Sequence, residues 1–473
     1  MFISLLLSAA AAAPAPPAPP VDCWPGFRGD GSGVSAASGL PLTWSPTENV
    51  AWRADLPGYG QSSPVVWKDR VYVTAVEGKE KETCLVVALD AATGKRVWVK
   101  EFRSFQKGKN NPMTSRAAPT PAVDANGVYA FFESGDVFVL SHEGELLWDR
   151  ALAGIHGPFD NEFGLAASVA QTDRAFFVLV EHKKAAYLSA FDKATGKTLW
   201  VADRAPRVSW ASPVAARWQG RDYVVVSSSG AVTGYDAASG AVAWEVTGLV
   251  GNAIPSATVA GDRILVGAGE NGLKPDRAGS VRSNCCLKLT EVGGRVVCER
   301  AWEAQKALSD TASPLAYGGH VYFVTKTGIV HCLDLVTGEE RYAERLHGPC
   351  WATPIGADGR VYFFGKDGVT AVLKAGRGFE ALATNRLWTE QDFARRKEEA
   401  RKRPENQIEP PKGAFPPAKK SDGPGGEPPR GSREAFDQMI AGSVGDIVYG
   451  VAAVDRTFYV RTGTELICVR AGR

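Results

Sequence analysis

The chain has 473 residues, 44% of them hydrophobic and 22% charged, a globular balance in a length too great for one ordinary small domain. Its 54 basic and 52 acidic residues leave a net charge of +2, which excludes a long-range field for nucleic acid or an anionic membrane. The 51 Gly and 13 Trp are both high and point to repeated turns and a repeated packing position.

Residues 1–20, MFISLLLSAAAAAPAPPAPP, begin with an apolar run from Phe2 to Ala13. The run is too short to span a bilayer and is followed by an Ala/Pro linker. This predicts a signal peptide cleaved between Ala11 and Ala18, and export to the periplasm or the exterior. No Lys or Arg precedes the run, a departure from the usual pattern. Asp22 before Cys23 does not suit lipoprotein processing, so no lipid anchor is expected. No other segment is a transmembrane candidate.

From Trp52 onward the chain repeats one sentence. ALDAATGKRVW (88–98) returns as AFDKATGKTLW (190–200), GYDAASGAVAW (234–244) and CLDLVTGEERY (332–342). Shortened or lengthened versions end at Trp148, Trp302 and Trp388. The closing aromatics Trp52, Trp98, Trp148, Trp200, Trp244, Trp302, Tyr342 and Trp388 are 40 to 58 residues apart, a period that marks propeller blades. After each aromatic comes a loop, then a small-residue or Pro motif opening a strand, as in SSPVVW, APTPAV, WASPVA and WATPIG. A turn and a second strand follow, as in DRVYVTA and GRVYFFG. Each unit thus carries four strands.

Residues 389–446 break the period. TEQDFARRKEEARKRPENQ is rich in helix formers without an apolar stripe, and the Pro/Gly-rich stretch after it predicts an extended, mobile segment. Residues 447–473 then supply three strands and stop. The missing fourth is available around Trp52, so pairing the two ends closes the ring without a free sheet edge. The prediction is an all-β, eight-bladed propeller of four-stranded antiparallel blades. Residues 1–20 are the signal and linker, 21–388 the closing strand and blades one to seven, 389–446 an insertion and 447–473 the last blade.

The repeated sentence is first a staple. Asp90, Thr93 and Gly94 make a turn, with Asp accepting from its backbone and Gly allowing positive φ. Trp98 then lands on the outer strand, where it packs between blades. Asp192, Thr195, Gly196 and Trp200 repeat the set. The pattern Ala-x-Asp-x-x-Thr-Gly-Lys-x-x-Trp resembles the tryptophan-docking motif of the quinoprotein dehydrogenase-like (PQQ-like) propellers, and residues 24–388 and 447–470 fit it. That family includes enzymes with pyrroloquinoline quinone (PQQ) and Ca²⁺ on the propeller axis, and non-enzymatic members of the BamB type.

The resemblance implies a search for axial carboxylates, a catalytic Asp and a vicinal disulfide against the cofactor. Cys285 and Cys286 are adjacent, but on a strand such neighbours point to opposite faces. Cys298 is a candidate to face either of them across a hairpin, in a compartment that permits disulfides. No Cys/His spacing matches a metal site. Loops joining one blade to the next gather on one face, and Arg116, His156, Asn161, Trp210, Asn252, Asp310 and Trp351 lie in them or at strand starts. These residues define a candidate funnel for a small polar ligand or a peptide. The reading is an exported, non-catalytic scaffold with a protein partner in the cell envelope and with no cofactor or metal. Two alternatives stand beside it: a PQQ/Ca-dependent alcohol or sugar dehydrogenase, and a carbohydrate- or peptide-binding module.

Overall fold

The computed structural model describes residues 23–270, 276–403, 406, 437, 440, 442–445 and 447–472. The signal-peptide reading and most of the insertion lie outside them. The strands form eight separate antiparallel sheets, one per repeat. In each, four strands follow one another outward from the axis, as in Ala186–Asp192 between Ala175–Glu181 and Thr198–Arg204.

The ring closes as the sequence predicts. Val50–Asp55 is the outermost strand of the last blade and pairs with Glu465–Arg470, placing Trp52 opposite Cys468. The first blade gains a fifth, innermost strand, Cys23–Trp24, paired with Val65–Trp67.

Alternation explains the core. The two middle strands of a blade are buried on both faces, so Arg70–Glu77 and Thr83–Asp90 read as nearly continuous apolar runs. The outer strands keep one wet face; Arg96–Arg103 is half exposed. Cys285 packs between blades four and five and Cys286 between blades five and six, each on its own side of the sheet. The alternative of Cys298 facing either is corrected by register. Cys298 lies opposite Leu289, while Cys285 and Cys286 face Glu303 and Trp302. All eight cysteines are free thiols.

The staple works across blades. Asp90 Oδ1 accepts from the Thr93 amide and hydroxyl at 2.8 and 2.7 Å, and Asp192 treats Thr195 in the same way. Each turn glycine, with φ near +70°, leaves room for the indole of the blade before it. Trp52, Trp98, Trp148, Trp200 and Trp302 donate their indole N–H to a turn carbonyl of the next blade at 2.9–3.3 Å. Trp244 and Trp388 break the series; Trp388 lies beyond the outer strand Ala381–Arg386, in which Ala383 holds the register position expected of the closing aromatic. A Cβ on either glycine of the next blade's lengthened turn, Gly293 or Gly294, would meet nothing within 4 Å, and the Trp244 Nε1 is buried without a partner among the described residues.

Two glycines separate backbone strain from docking. Gly196 and Gly220 both have positive φ, +66° and +76°. A Cβ on Gly196 would stand 2.5 Å from the Trp148 ring, whereas one on Gly220 would touch nothing within 4 Å. Gly220→Ala should cost about 1–2 kcal/mol of left-handed strain. Gly196→Ala should cost about 1–3 kcal/mol more from overpacking. Urea denaturation of both variants measures the difference, and equal losses would reject docking as the reason for Gly196.

The insertion opens with a helix, Glu390–Lys402. Thr389 caps it, its Oγ1 accepting from the Asp392 amide at 3.0 Å. With no apolar stripe, it is anchored by charge and by single contacts. Arg396 reaches Glu465 at 2.8 Å and lies over the Trp388 ring, and Phe393 packs beside that ring. No helix among the described residues is long and apolar enough to cross a membrane.

Candidate functional site: a blind axial cavity

Eight inner strands surround an axis, and the N-terminal segment fills one end of it. Residues 23–35 touch the inner strand of every blade in turn. Trp24 pairs with Val66, and the Pro25 carbonyl accepts from the Val123 amide and from Gln171 Nε2. Gly31 lies so close to Val214 that a Cβ would stand 2.6 Å from it, and Gly33 adjoins Leu315. Arg28 donates to the Ala257 carbonyl at 2.6 Å and to Thr258 Oγ1 at 2.5 Å. Ser35 bonds Gly356 through its backbone and the Ala453 carbonyl through its hydroxyl. Burial pushes the Arg28 guanidinium down to about 9, against a smaller upward pull from Asp30. The axis is therefore a blind cavity, with this segment as its floor.

Above the floor lies a cavity of about 540 Å³. Its wall is a girdle of hydroxyls. The backbone N–H of Ser63 donates to Thr120 Oγ1, and the same bond runs on through Ser168, Ser212, Ser256 and Ser313 to Thr353, at 2.8–3.2 Å. Each hydroxyl stands at the start of an inner strand, where the amide needs a partner that the sheet does not supply. The eighth position is Gly450, where a Cβ would stand 2.0 Å from Ser63 Oγ. The repeated small-residue motif carried this signal in sequence. Each copy holds a Ser or Thr, but the bond it makes spans neighbouring blades.

The mouth is apolar. Trp210, Trp351, Phe163, Met113, Ile254 and Tyr449 line it. Trp210 is fixed by its indole N–H on the Gly164 carbonyl at 3.1 Å and by Phe163, 6.0 Å from its ring. Trp351 packs on Tyr449 and carries the Lys366 ammonium 4.1 Å from its ring centre. Burial lowers Lys366 to about 8, with Lys397 adding to the effect.

Of the seven funnel residues read from sequence, the structure brings Trp210 and Trp351 to the cavity. The other five lie elsewhere. Arg116 is fully buried behind the wall, 3.4 Å from the Tyr59 ring centre and bonded to Asn406. Asn252 is fully buried and serves backbone, its amide on the Ser228 and Ala231 carbonyls. Asp310 accepts from the Lys326 amide. Asn161 lines a separate cavity of about 250 Å³ beside Lys81 and Glu133. His156 is exposed and rests on Tyr187. Asn252 and Asp310 turn sideways to satisfy backbone and Arg116 turns sideways onto Tyr59 and Asn406, while the two aromatics turn inward.

The axial metal and quinone of the resembled enzymes can be tested against this lining. A hard cation needs carboxylate or several carbonyl oxygens. The described lining has no Asp, Glu or His, and its one charged group, Arg28, is already bonded to protein. No cluster of three His, Cys, Asp or Glu suited to a metal occurs among the described residues. The donor set does not fit the group.

A sequence profile of the family described as outer membrane protein assembly factor BamB matches residues 25–171, 184–277 and 288–414. No curated protein sequence matches the chain. Among solved structures, BamB from Moraxella catarrhalis is similar over 89% of this chain and 99% of its own, with a TM-score of 0.57 and 11% identity. A europium-containing methanol dehydrogenase is similar over 78% and 86%, with a TM-score of 0.56 and 11% identity. The computationally designed protein Ika8 gives 0.51 and 13% identity over 88% and 98%. At these identities the likeness is one of fold.

Proposed function

The chain belongs to the family of outer membrane protein assembly factor BamB, and from that premise we propose that it is a non-catalytic, exported scaffold that holds a protein partner at the open face of its axial cavity. The observation that carries this is the cavity's chemistry. Rings and hydroxyls line it, and among the described lining residues no carboxylate stands ready to act as base or metal ligand. Large apolar groups stand at its mouth, where Phe163 is 41% and Ile254 44% exposed. Such exposed apolar groups are typical of protein contact surfaces.

Site-specific photocrosslinking in the producing cell tests it. A benzophenone amino acid at Ile254 probes the cavity mouth, and one at Val336, in a turn on the opposite face, is the control. Val336 is 62% exposed, so both probes are accessible. The scaffold reading expects a discrete protein adduct from Ile254 and none from Val336. It fails if neither position yields one, and it is replaced if PQQ with Ca²⁺ supports dye reduction by alcohols or sugars.

A further inference from the structure

We propose that the axial cavity takes an uncharged, extended peptide segment bearing aromatic or aliphatic side chains. This deepens the scaffold reading and rests on it. Three observations converge on that chemistry.

The first is charge. Apart from Arg28, no charged side chain is in the described lining, and Arg28 directs its two terminal nitrogens to Thr258 and Ala257, leaving its buried Nε unpartnered among the described residues. A cationic ligand would shed its hydration and find no opposite charge in the described lining, and an anionic one would find only Arg28, held at the floor by protein carbonyl and hydroxyl. That disfavours a metal and basic peptides most, and leaves a polyanionic quinone or an acidic peptide with one partner for several charges.

The second is hydrogen bonding. The hydroxyls of Thr120, Ser168, Ser212, Ser256, Ser313 and Thr353 each accept an amide from the blade before. None donates to another group among the described residues. A hydroxyl has one proton to give, so the girdle offers a circle of donors. Peptide carbonyls are their natural match. A saccharide is usually gripped by planar amides and carboxylates as well as by rings. Here the one side-chain amide of the described lining, Gln61, already accepts from the Arg116 amide at 2.9 Å.

The third is shape. The cavity's 540 Å³ falls within the roughly 300–1,000 Å³ of ligand pockets. Trp24 and Phe27 close its base, and Trp210, Trp351, Phe163 and Ile254 surround its opening. An anchoring side chain held in an aromatic pocket, with its backbone bonded to the wall, is a common way to concentrate binding energy.

The test uses the full chain and N-acetyl-Phe-Leu-Phe-amide as probe, followed by calorimetry and tryptophan fluorescence at pH 7. N-acetyl-Glu-Leu-Glu-amide, N-acetyl-Lys-Leu-Lys-amide, maltotriose and PQQ with Ca²⁺ are the comparisons. The apolar peptide should bind saturably, one to one, and at least tenfold more tightly than any comparison. Trp210→Ala with Trp351→Ala should lose at least tenfold. Ile254→Asp changes only an exposed rim residue, so it should fold, weaken the apolar peptide and favour the Lys-Leu-Lys peptide. The proposal is overturned if a comparison binds as well, or if affinity is unchanged in both variants. Absence of all peptide binding also overturns it. A persisting Ile254 adduct would then keep the scaffold with a different contact chemistry, whereas loss of that adduct would remove the scaffold reading itself.

Discussion

A chain that starts at residue 57 should not form a stable propeller. It lacks Val50–Asp55, so Glu465–Arg470 is left as an open edge and Trp52 no longer docks on Ala91. The ladder from Val50 to Asp55 is lost, at about 0.5–1.5 kcal/mol net for each hydrogen bond. The Trp52 contact with the Gly94 turn and with Tyr459, 5.9 Å away ring to ring, is worth about 3 kcal/mol, the low end for a Trp→Ala truncation because the ring is only half-buried. The Arg53–Glu465 pair goes as well. Together these losses approach the whole stability of a typical domain, about 5–15 kcal/mol. The expected result is a broad, low thermal transition and association through the free edge in size-exclusion chromatography. Two variants divide the effect. Trp52→Ala should melt cooperatively but several degrees lower. Replacing residues 23–35 with a Gly/Ser linker of equal length keeps the closing strand and should also remain cooperative. A truncated chain that melts like the full one would show that the seam does not hold the ring.

The seam was legible because both of its halves carry the repeat. The last unit stops after three strands, and Trp52 sits in register with the other closing aromatics. The Asp90–Gly94 turn was legible too, since its bonds run within four residues. The floor of the cavity was not. Arg28 meets Thr258 across 230 residues and Ser35 meets Ala453 across 418, and no local period records such contacts. The girdle stands between these cases. Its hydroxyls recur visibly, but each bond crosses a blade boundary, with 44 residues between Ser168 and Ser212. Loop membership placed Arg116 and Asn252 on the right face without saying that they point into the wall. That direction depends on which backbone groups lack partners, and only the assembled ring determines it. Trp210 and Trp351 reach the cavity because each begins an inner strand ahead of a small residue and a Pro, a place where the chain must face the axis.

The second large effect lies on the cavity side of blades three and four. Arg204 Nε bonds Glu181 Oε1 at 2.9 Å, with side-chain exposures of 3% and 1%. The guanidinium also reaches the Tyr235 hydroxyl and Ser228 Oγ, and Ser228 donates to Glu181 at 2.9 Å. Tyr235 and Ser228 belong to blade four, so this network ties two blades together. Arg204→Ala should cost about 3–5 kcal/mol, because it leaves a buried carboxylate without its cation. The pH dependence identifies the cause. Burial raises the Glu181 carboxyl, and Arg204 and Ser228 pull it back down. Without Arg204 it rises further. A carboxyl raised on folding contributes stability below its unfolded value, and that contribution is lost as pH rises through the folded value. The deficit of Arg204→Ala should therefore be largest at neutral pH and shrink toward pH 5 in urea titrations. Adding Glu181→Gln should recover most of it at pH 7, since no charge then needs a partner. A deficit that stays constant from pH 5 to 8 and is not relieved by Glu181→Gln would mean that Arg204 acts by packing alone, with the blade joint held by Tyr235 and its neighbours.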